Sequence, residues 1–292
     1  VQRWIWRQLR VELPEDWELL QFSRSPETGR CAFADRYQYR FEISWLRVPG
    51  PPDFERVLTD YRARLEEDGL TGTRRLQTAG WHGVSGLLPD QRTTCRYGTH
   101  VPALGFMVEA VFLWPKARHE PTEMEVLHSF RAEPPSAAGQ VRWQAFGLDL
   151  LTGAGDVLEA CRADPGFHEL RFSTARRRNW ERFSRRGLLA AWMREPVAQW
   201  QRRQAPRAYR VLDDREEERC GHAVAILRCQ RRHPLLADLL YGRRHVAAAA
   251  WICPRDGRLY QVLQEGYPRA GRRGQARPAP ALRCCPDLEV SL

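Results

Sequence analysis

The feature that most constrains this chain is a recurring period of two. From Arg40 to Val48, Phe41, Ile43 and Trp45 fall on one side of an extended segment, and Arg40, Glu42 and Ser44 fall on the other. Side chains alternate across a strand, so this spacing gives one dry face and one wet face; a helix would scatter the same residues around its axis. Leu9, Val11 and Leu13 alternate likewise until Pro14-Glu15-Asp16 interrupts them. Trp17 to Phe22 resumes the pattern, and Ser25-Pro26-Glu27-Thr28-Gly29 reads as a turn. Residues 74–79, 81–88 and 106–114 are extended by the same criterion.

Helices are fewer. Pro49-Gly50-Pro51-Pro52 ends the strand at 40–48, and Asp53 can cap a helix because its carboxylate accepts the orphan amide protons of a first turn. Phe54, Val57, Leu58, Tyr61 and Leu65 then form one apolar stripe, closed by Gly69. Pro121 opens a second, short helix carrying Met124, Leu127 and Phe130, with Glu123 and Glu125 near its positive end.

Glu133-Pro134-Pro135-Ser136-Ala137-Ala138-Gly139 is the best linker in the 292 residues. We expect domains over 1–135 and 142–292 with a linker at 136–141, each of a size that buries its own core. The second half has strands near 146–150, 170–173, 209–212, 223–229, 246–252 and 258–263, and a helix after Glu195-Pro196 that turns Val197 and Trp200 inward. Three landmarks keep their order in both halves. Gly80-Trp81-His82-Gly83-Val84 resembles Cys220-Gly221-His222-Ala223-Val224, residues 108–115 resemble 247–254, and residues 126–130 resemble 281–285. The order indicates an internal duplication. The expected fold class is α+β: two similar domains, each an antiparallel sheet backed by one or two helices.

The stretch Leu9 to Trp17 (L-x-V-x-L-P-E-D-W), the helix after Pro52, the strand Trp81-His82-Gly83-Val84 and the closing helix at 121–131 together resemble the PsbP/Mog/DcrB-like superfamily. The resemblance covers residues 6–133 well and 141–290 less well. It implies a helix-backed antiparallel sheet and a non-catalytic role, since such families include photosystem extrinsic subunits, a Ran-binding protein and lipoproteins. It carries over no site residue.

The net charge of +10 is unevenly placed. Residues 1–140 hold 18 basic and 19 acidic side chains, leaving 28 and 17 for residues 141–292. That asymmetry predicts an acidic partner, a protein surface or complex, for the second half. Lys116 is the only lysine, which an arginine-preferring genome would also produce. No run approaches the ~18 apolar residues of a membrane span. The eight cysteines are too sparse for a disulfide scaffold, and none lies in C-x-x-C spacing. Packed thiols in a reducing, cytoplasmic compartment are the expectation, with a removed upstream segment left open because the chain starts at Val1.

Four constellations carry candidate chemistry. The strongest is the arginine-aromatic run Arg176, Arg177, Arg178, Trp180, Arg182, Arg185 and Arg186, with Phe183 inside it. Guanidinium groups pair with carboxylates or phosphates, and interleaved aromatics stack on bases, so the run suits an acidic partner or, alternatively, nucleic acid. The plainer reading is a strand with solvated arginines. Cys220 and His222, two apart on an extended segment, share a face and with Cys253 and either Cys284 or Cys285 suit a thiolate-imidazole metal or redox site. Packed cysteines, with no metal, are the competing account. His82 and Ser85 invite a hydrolase reading, but Gly83-Val84-Ser85-Gly86-Leu87 lacks the second glycine of a nucleophile elbow. Glu109 is an acid within an apolar strand, a candidate base or the partner of an arginine. The arginine-bearing tail from Gly266 to Ala281 reads as a solvated loop. The sequence thus points to a non-enzymatic binding or assembly protein without cofactors.

Overall fold

A computed structural model describes every residue except 26, 79, 175–178, 234 and 268–278, together with all side chains of its regular elements but those of 237, 239 and 240. The chain divides into two compact units, Val1–Pro134 and Pro135–Leu292.

In the first unit, β1 (Gln2–Trp6) and β2 (Leu9–Leu13) form an antiparallel hairpin. There follow β3 (Glu18–Phe22), β4 (Thr28–Ala34), β5 (Tyr39–Arg47), α1 (Phe54–Glu67), β6 (Thr71–Thr78), β7 (Trp81–Leu87), β8 (Thr93–Val101), β9 (Phe106–Trp114), α2 (Glu120–Ser129) and β10 (Arg131–Ala132). Seven of these strands make one antiparallel sheet in the order β3-β4-β5-β9-β8-β7-β6. Alternation places Phe106, Val108, Ala110, Phe112 and Trp114 of β9 beside Phe41, Ile43 and Trp45 of β5 on a single buried face. The hairpin β1–β2 covers that face: Trp4 meets Phe33 edge-on at 5.6 Å and Trp6 meets Phe22 at 5.8 Å. Helix α2 adds Val126 and Leu127, and its Glu123 is fully buried, receiving hydrogen bonds from Trp114 Nε1, Tyr97 Oη and Arg118 Nε, each at 2.7 Å. Helix α1 serves the opposite face, capped by Asp53 through the amides of Glu55 and Arg56.

The second unit runs through β11 (Gln140–Ala145), β12 (Leu148–Gly153), β13 (Asp156–Asp164), β14 (Phe167–Thr174), β15 (Trp180–Arg186), α3 (Leu189–Trp192), α4 (Val197–Arg203), β16 (Tyr209–Arg219), β17 (His222–Arg231), α5 (Leu236–Tyr241), β18 (His245–Cys253), β19 (Arg258–Gly266), β20 (Ala281–Cys285) and β21 (Leu288–Ser291). Its large sheet has the order β13-β14-β15-β19-β18-β17-β16. A second ladder joins β11 to β12, β12 to β20 and β20 to β21. Here too a β layer meets the buried face, with Trp143 of β11 5.0 Å from Phe172 of β14.

The two large sheets share one topology: adding ten to each strand number of the first gives the second. The pairing of β10 with β2 likewise recurs as β20 with β12. This topology realigns two sequence landmarks. Residues 108–115 lie on β9, whose counterpart is β19, whereas 247–254 lie on β18; residues 126–130 lie on α2 and not on a counterpart of β20. The landmark at β7 and β17 does fall on matching strands.

The α+β expectation is overturned. The molecule is mainly antiparallel β, with more than half of the described residues in strands. The physical reason is what covers each buried sheet face. Residues Trp4, Trp6, Leu9, Val11 and Leu13 satisfy it with strands, where the sequence reading supplied helices. In the second unit α3, α4 and α5 have only 4, 7 and 6 residues, and residues 209–219, read as strand only to 212, form an 11-residue strand charged at every position from Asp213 to Arg219.

Candidate metal centre

The most concentrated chemistry lies in the second unit, where four side chains distant in sequence converge. His222 opens β17, Cys253 closes β18, and Cys284 and Cys285 end β20. Their ligand atoms all lie within 4.8 Å of one another. His222 Nε2 is 3.5 Å from Cys284 Sγ and 3.7 Å from Cys285 Sγ, and the two sulfurs are 3.7 Å apart. A tetrahedral zinc ion with metal–sulfur bonds of about 2.3 Å and a metal–nitrogen bond of about 2.0 Å needs sulfur–sulfur edges of about 3.8 Å and sulfur–nitrogen edges of about 3.5 Å. The three separations match that polyhedron.

Local backbone features set each ligand in place. Adjacent residues on a regular strand point to opposite faces. Cys284 and Cys285 escape that rule because the register of β20 against β21 shifts between Arg283 and Cys285, leaving Cys284 as the extra residue of a bulge. Cys253 and Cys285 are each followed by proline, which ends the strand and starts a turn. The turns are joined by an ion pair between Arg255 and Asp287. Burial pushes the Cys285 thiol pKa up, but amide hydrogen bonds from Asp287 and Leu288, with contributions from Cys284 and Cys253, more than offset it and hold the thiol below its usual range. Burial chiefly pushes the Cys284 thiol up, and the neighbouring Cys253 and Cys285 add to it.

His222 is oriented by Cys220, although not as a fellow ligand. Cys220 and Gly221 have φ of +49° and +73°, so they form the tight hairpin turn before β17, and the Cys220 side chain is exposed. The Cys220 carbonyl accepts a hydrogen bond from His222 Nδ1 at 2.9 Å. That fixes the proton on Nδ1 and leaves the Nε2 lone pair facing the sulfurs, the arrangement that metal-bound histidines require. Of the residues the sequence offers for this site, Cys220, His222, Cys253 and either Cys284 or Cys285, the structure brings together His222, Cys253 and both Cys284 and Cys285 and leaves Cys220 outside. The signal for taking both is the pair of Cys-Pro turns, Cys253-Pro254-Arg255-Asp256 and Cys285-Pro286-Asp287.

None of the other described candidates is among the four clustered side chains. Arg176, Arg177 and Arg178 lie outside the described residues. Trp180, Arg182, Arg185 and Arg186 lie on β15, between β14 and β19. Trp180 stacks under Arg171 at 5.6 Å and Arg182 faces Glu169 at 3.7 Å. Arg185 bonds Tyr260 Oη at 3.0 Å and Asp256 at 3.2 Å. Arg186 lies 4.4 Å over the Phe167 ring, and burial lowers its pKa. His82 and Ser85, three apart on β7, fall on opposite faces, and His82 stacks on Phe54 at 4.5 Å. Glu109 accepts a hydrogen bond from Tyr61 Oη at 2.5 Å.

No protein-family model and no curated protein matches the sequence. Among solved structures, the apo immunity protein TplEi of T6SS from Pseudomonas aeruginosa is similar over 92% of this chain and 88% of its own, at 8% identity and a TM-score of 0.38. Its complex with an "L" peptide gives 90% and 91% coverage, 8% identity and a TM-score of 0.34. A structure from Bacteroides thetaiotaomicron VPI-5482 is similar over 50% of each chain, at 12% identity and a TM-score of 0.32. Likeness at this level assigns neither fold family nor function. Among the described residues, no helix is long and apolar enough to cross a membrane.

Proposed function

We propose that this chain is a non-catalytic, zinc-carrying binding protein whose metal, held by His222, Cys253, Cys284 and Cys285, serves the fold of the second unit. The carrying observation is the convergence of one imidazole nitrogen and three sulfurs within 4.8 Å. Three thiolates and one neutral imidazole favour zinc among the common divalent ions, and four protein ligands fill a tetrahedral shell. A filled shell leaves no position for substrate or activated water, which favours a structural ion over a catalytic one. The ion would join three strands, β17, β18 and β20, that the chain brings together from positions 222 to 285. A thiolate site of this kind suits a reducing compartment such as the cytoplasm. The arginines of β15 do not carry this reading, because each described one has an intramolecular partner.

The test is elemental analysis of the full chain purified without chelator, followed by substitution with cobalt(II). One zinc per chain, and the visible absorption of tetrahedral thiolate-bound cobalt, are expected. A chain free of stoichiometric metal that also fails to bind cobalt would refute the proposal.

A further inference from the structure

The first unit contains a cavity of about 340 Å³ between α1 and the sheet face that α1 only partly covers. Its size falls within the range of small-molecule sites. Phe54 and Leu58 of α1, Leu46 of β5 and Met107 of β9 form apolar walls. Gly98 of β8 lets Met107 lie close against the sheet, since a Cβ there would stand 2.7 Å from Met107 Cε. Two large apolar side chains at the cavity, Leu46 and Val57, remain 54% and 40% exposed. Apolar surface left in water beside a preformed concavity is what a bound ring would cover.

Besides Thr28, Ser44 and His82, the polar lining holds one compact cluster. Tyr61 Oη donates to Glu109 Oε1 at 2.5 Å and accepts from Arg96 Nη1 at 2.7 Å, while Arg96 and Glu109 are 3.9 Å apart. Burial, with Glu109 close by, pushes the Tyr61 pKa up to about 12, so the phenol keeps its proton and anchors the carboxylate. Arg96 and Glu109 are about one-third exposed, with capacity left for further hydrogen bonds. Together they present a donor beside an acceptor with no net charge. A lone anion would meet Glu109 and a lone cation would meet Arg96. A neutral ring edge with a carbonyl next to an N–H satisfies both.

We propose that this cavity binds a small, flat, uncharged ring compound with a lactam-type edge, its ring against the apolar walls and its carbonyl and N–H read by Arg96 and Glu109. The site is independent of the metal centre and stands whether or not zinc is bound.

The test is calorimetric titration of the full chain with three bicyclic probes: 2-quinolone, which has the lactam edge, quinoline, which has only an acceptor, and 1-naphthoate, which is an anion. Saturable binding of 2-quinolone is expected, with quinoline and naphthoate weaker by about tenfold or more, the loss of roughly one charge-assisted hydrogen bond. Ser44→Leu and, separately, Met107→Trp should abolish 2-quinolone binding by filling the space while leaving the thermal transition in place. Absence of saturable 2-quinolone binding, equal affinity for all three probes, or undiminished binding in whichever of the two variants folds would overturn the proposal.

Discussion

Cys284 shows how much one residue can decide. Without the bulge it creates, β20 would send Cys284 and Cys285 to opposite faces, and the cluster would lose a sulfur. Cys284→Ser, Cys253→Ser and His222→Ala should each lower bound zinc well below one per chain, read by elemental analysis. Cys220→Asn should leave the zinc content unchanged and raise stability by about 0.5–1 kcal/mol, because asparagine tolerates the positive φ that Cys220 now adopts. Loss of metal in that variant would restore Cys220 as a ligand. Glu123 is a separate residue-scale case. Its carboxylate is fully buried and accepts from Arg118, Tyr97 and Trp114, so Glu123→Ala should cost about 3–5 kcal/mol in denaturant titration by leaving those donors unmatched. Tyr209 gives a pH signature. Burial and the hydrogen bond to Glu265 raise its pKa from 10.0 to about 12, so the folded state holds the phenol proton more tightly than the unfolded state does. The stabilisation is complete below pH 10 and is lost as pH rises toward 12. Tyr209→Phe should flatten that alkaline decline in unfolding midpoint.

At the scale of elements, the cap of α1 offers a simple test. Asp53→Ala removes the acceptor for two first-turn amides and should cost about 1 kcal/mol of stability. Helix α1 and strand β5 were legible in the sequence because each shows its own period over a long stretch, 3.6 for Phe54 to Leu65 and 2 for Phe41 to Trp45. Of the covering hairpin, β2 was legible from Leu9, Val11 and Leu13, but β1 was not, since Trp4, Ile5 and Trp6 run together and show no alternation. Register was equally hidden. Thr78 pairs with Trp81 across one hairpin and Arg219 with His222 across its counterpart, so Trp81, and not His82, is the structural equivalent of His222. A slip of one residue moves a side chain to the other face. That is why His82 lines the cavity under α1 while His222 enters the thiol cluster. The arginines of β15 were conspicuous as a charge run, but ring faces and carboxylates on neighbouring strands engage them, and those neighbours are distant in sequence.

At the scale of the whole molecule, one strand order used twice carries two different devices. The first unit has a cavity with a neutral polar pair; the second has three sulfurs and an imidazole. A strong chelator should lower the thermal transition of the second unit, as seen by calorimetry. The metal centre was half legible: His222 and Cys253 stood out, but the decision between Cys220 and the Cys284-Cys285 pair rests on a turn and a bulge that only the folded chain reveals. The central claim concerns the ligand atoms themselves, and X-ray absorption fine structure at the zinc edge reads them directly. The account predicts a shell of three sulfurs at about 2.3 Å and one nitrogen at about 2.0 Å. A shell of oxygen and nitrogen only, or one with fewer than three sulfurs, would contradict it.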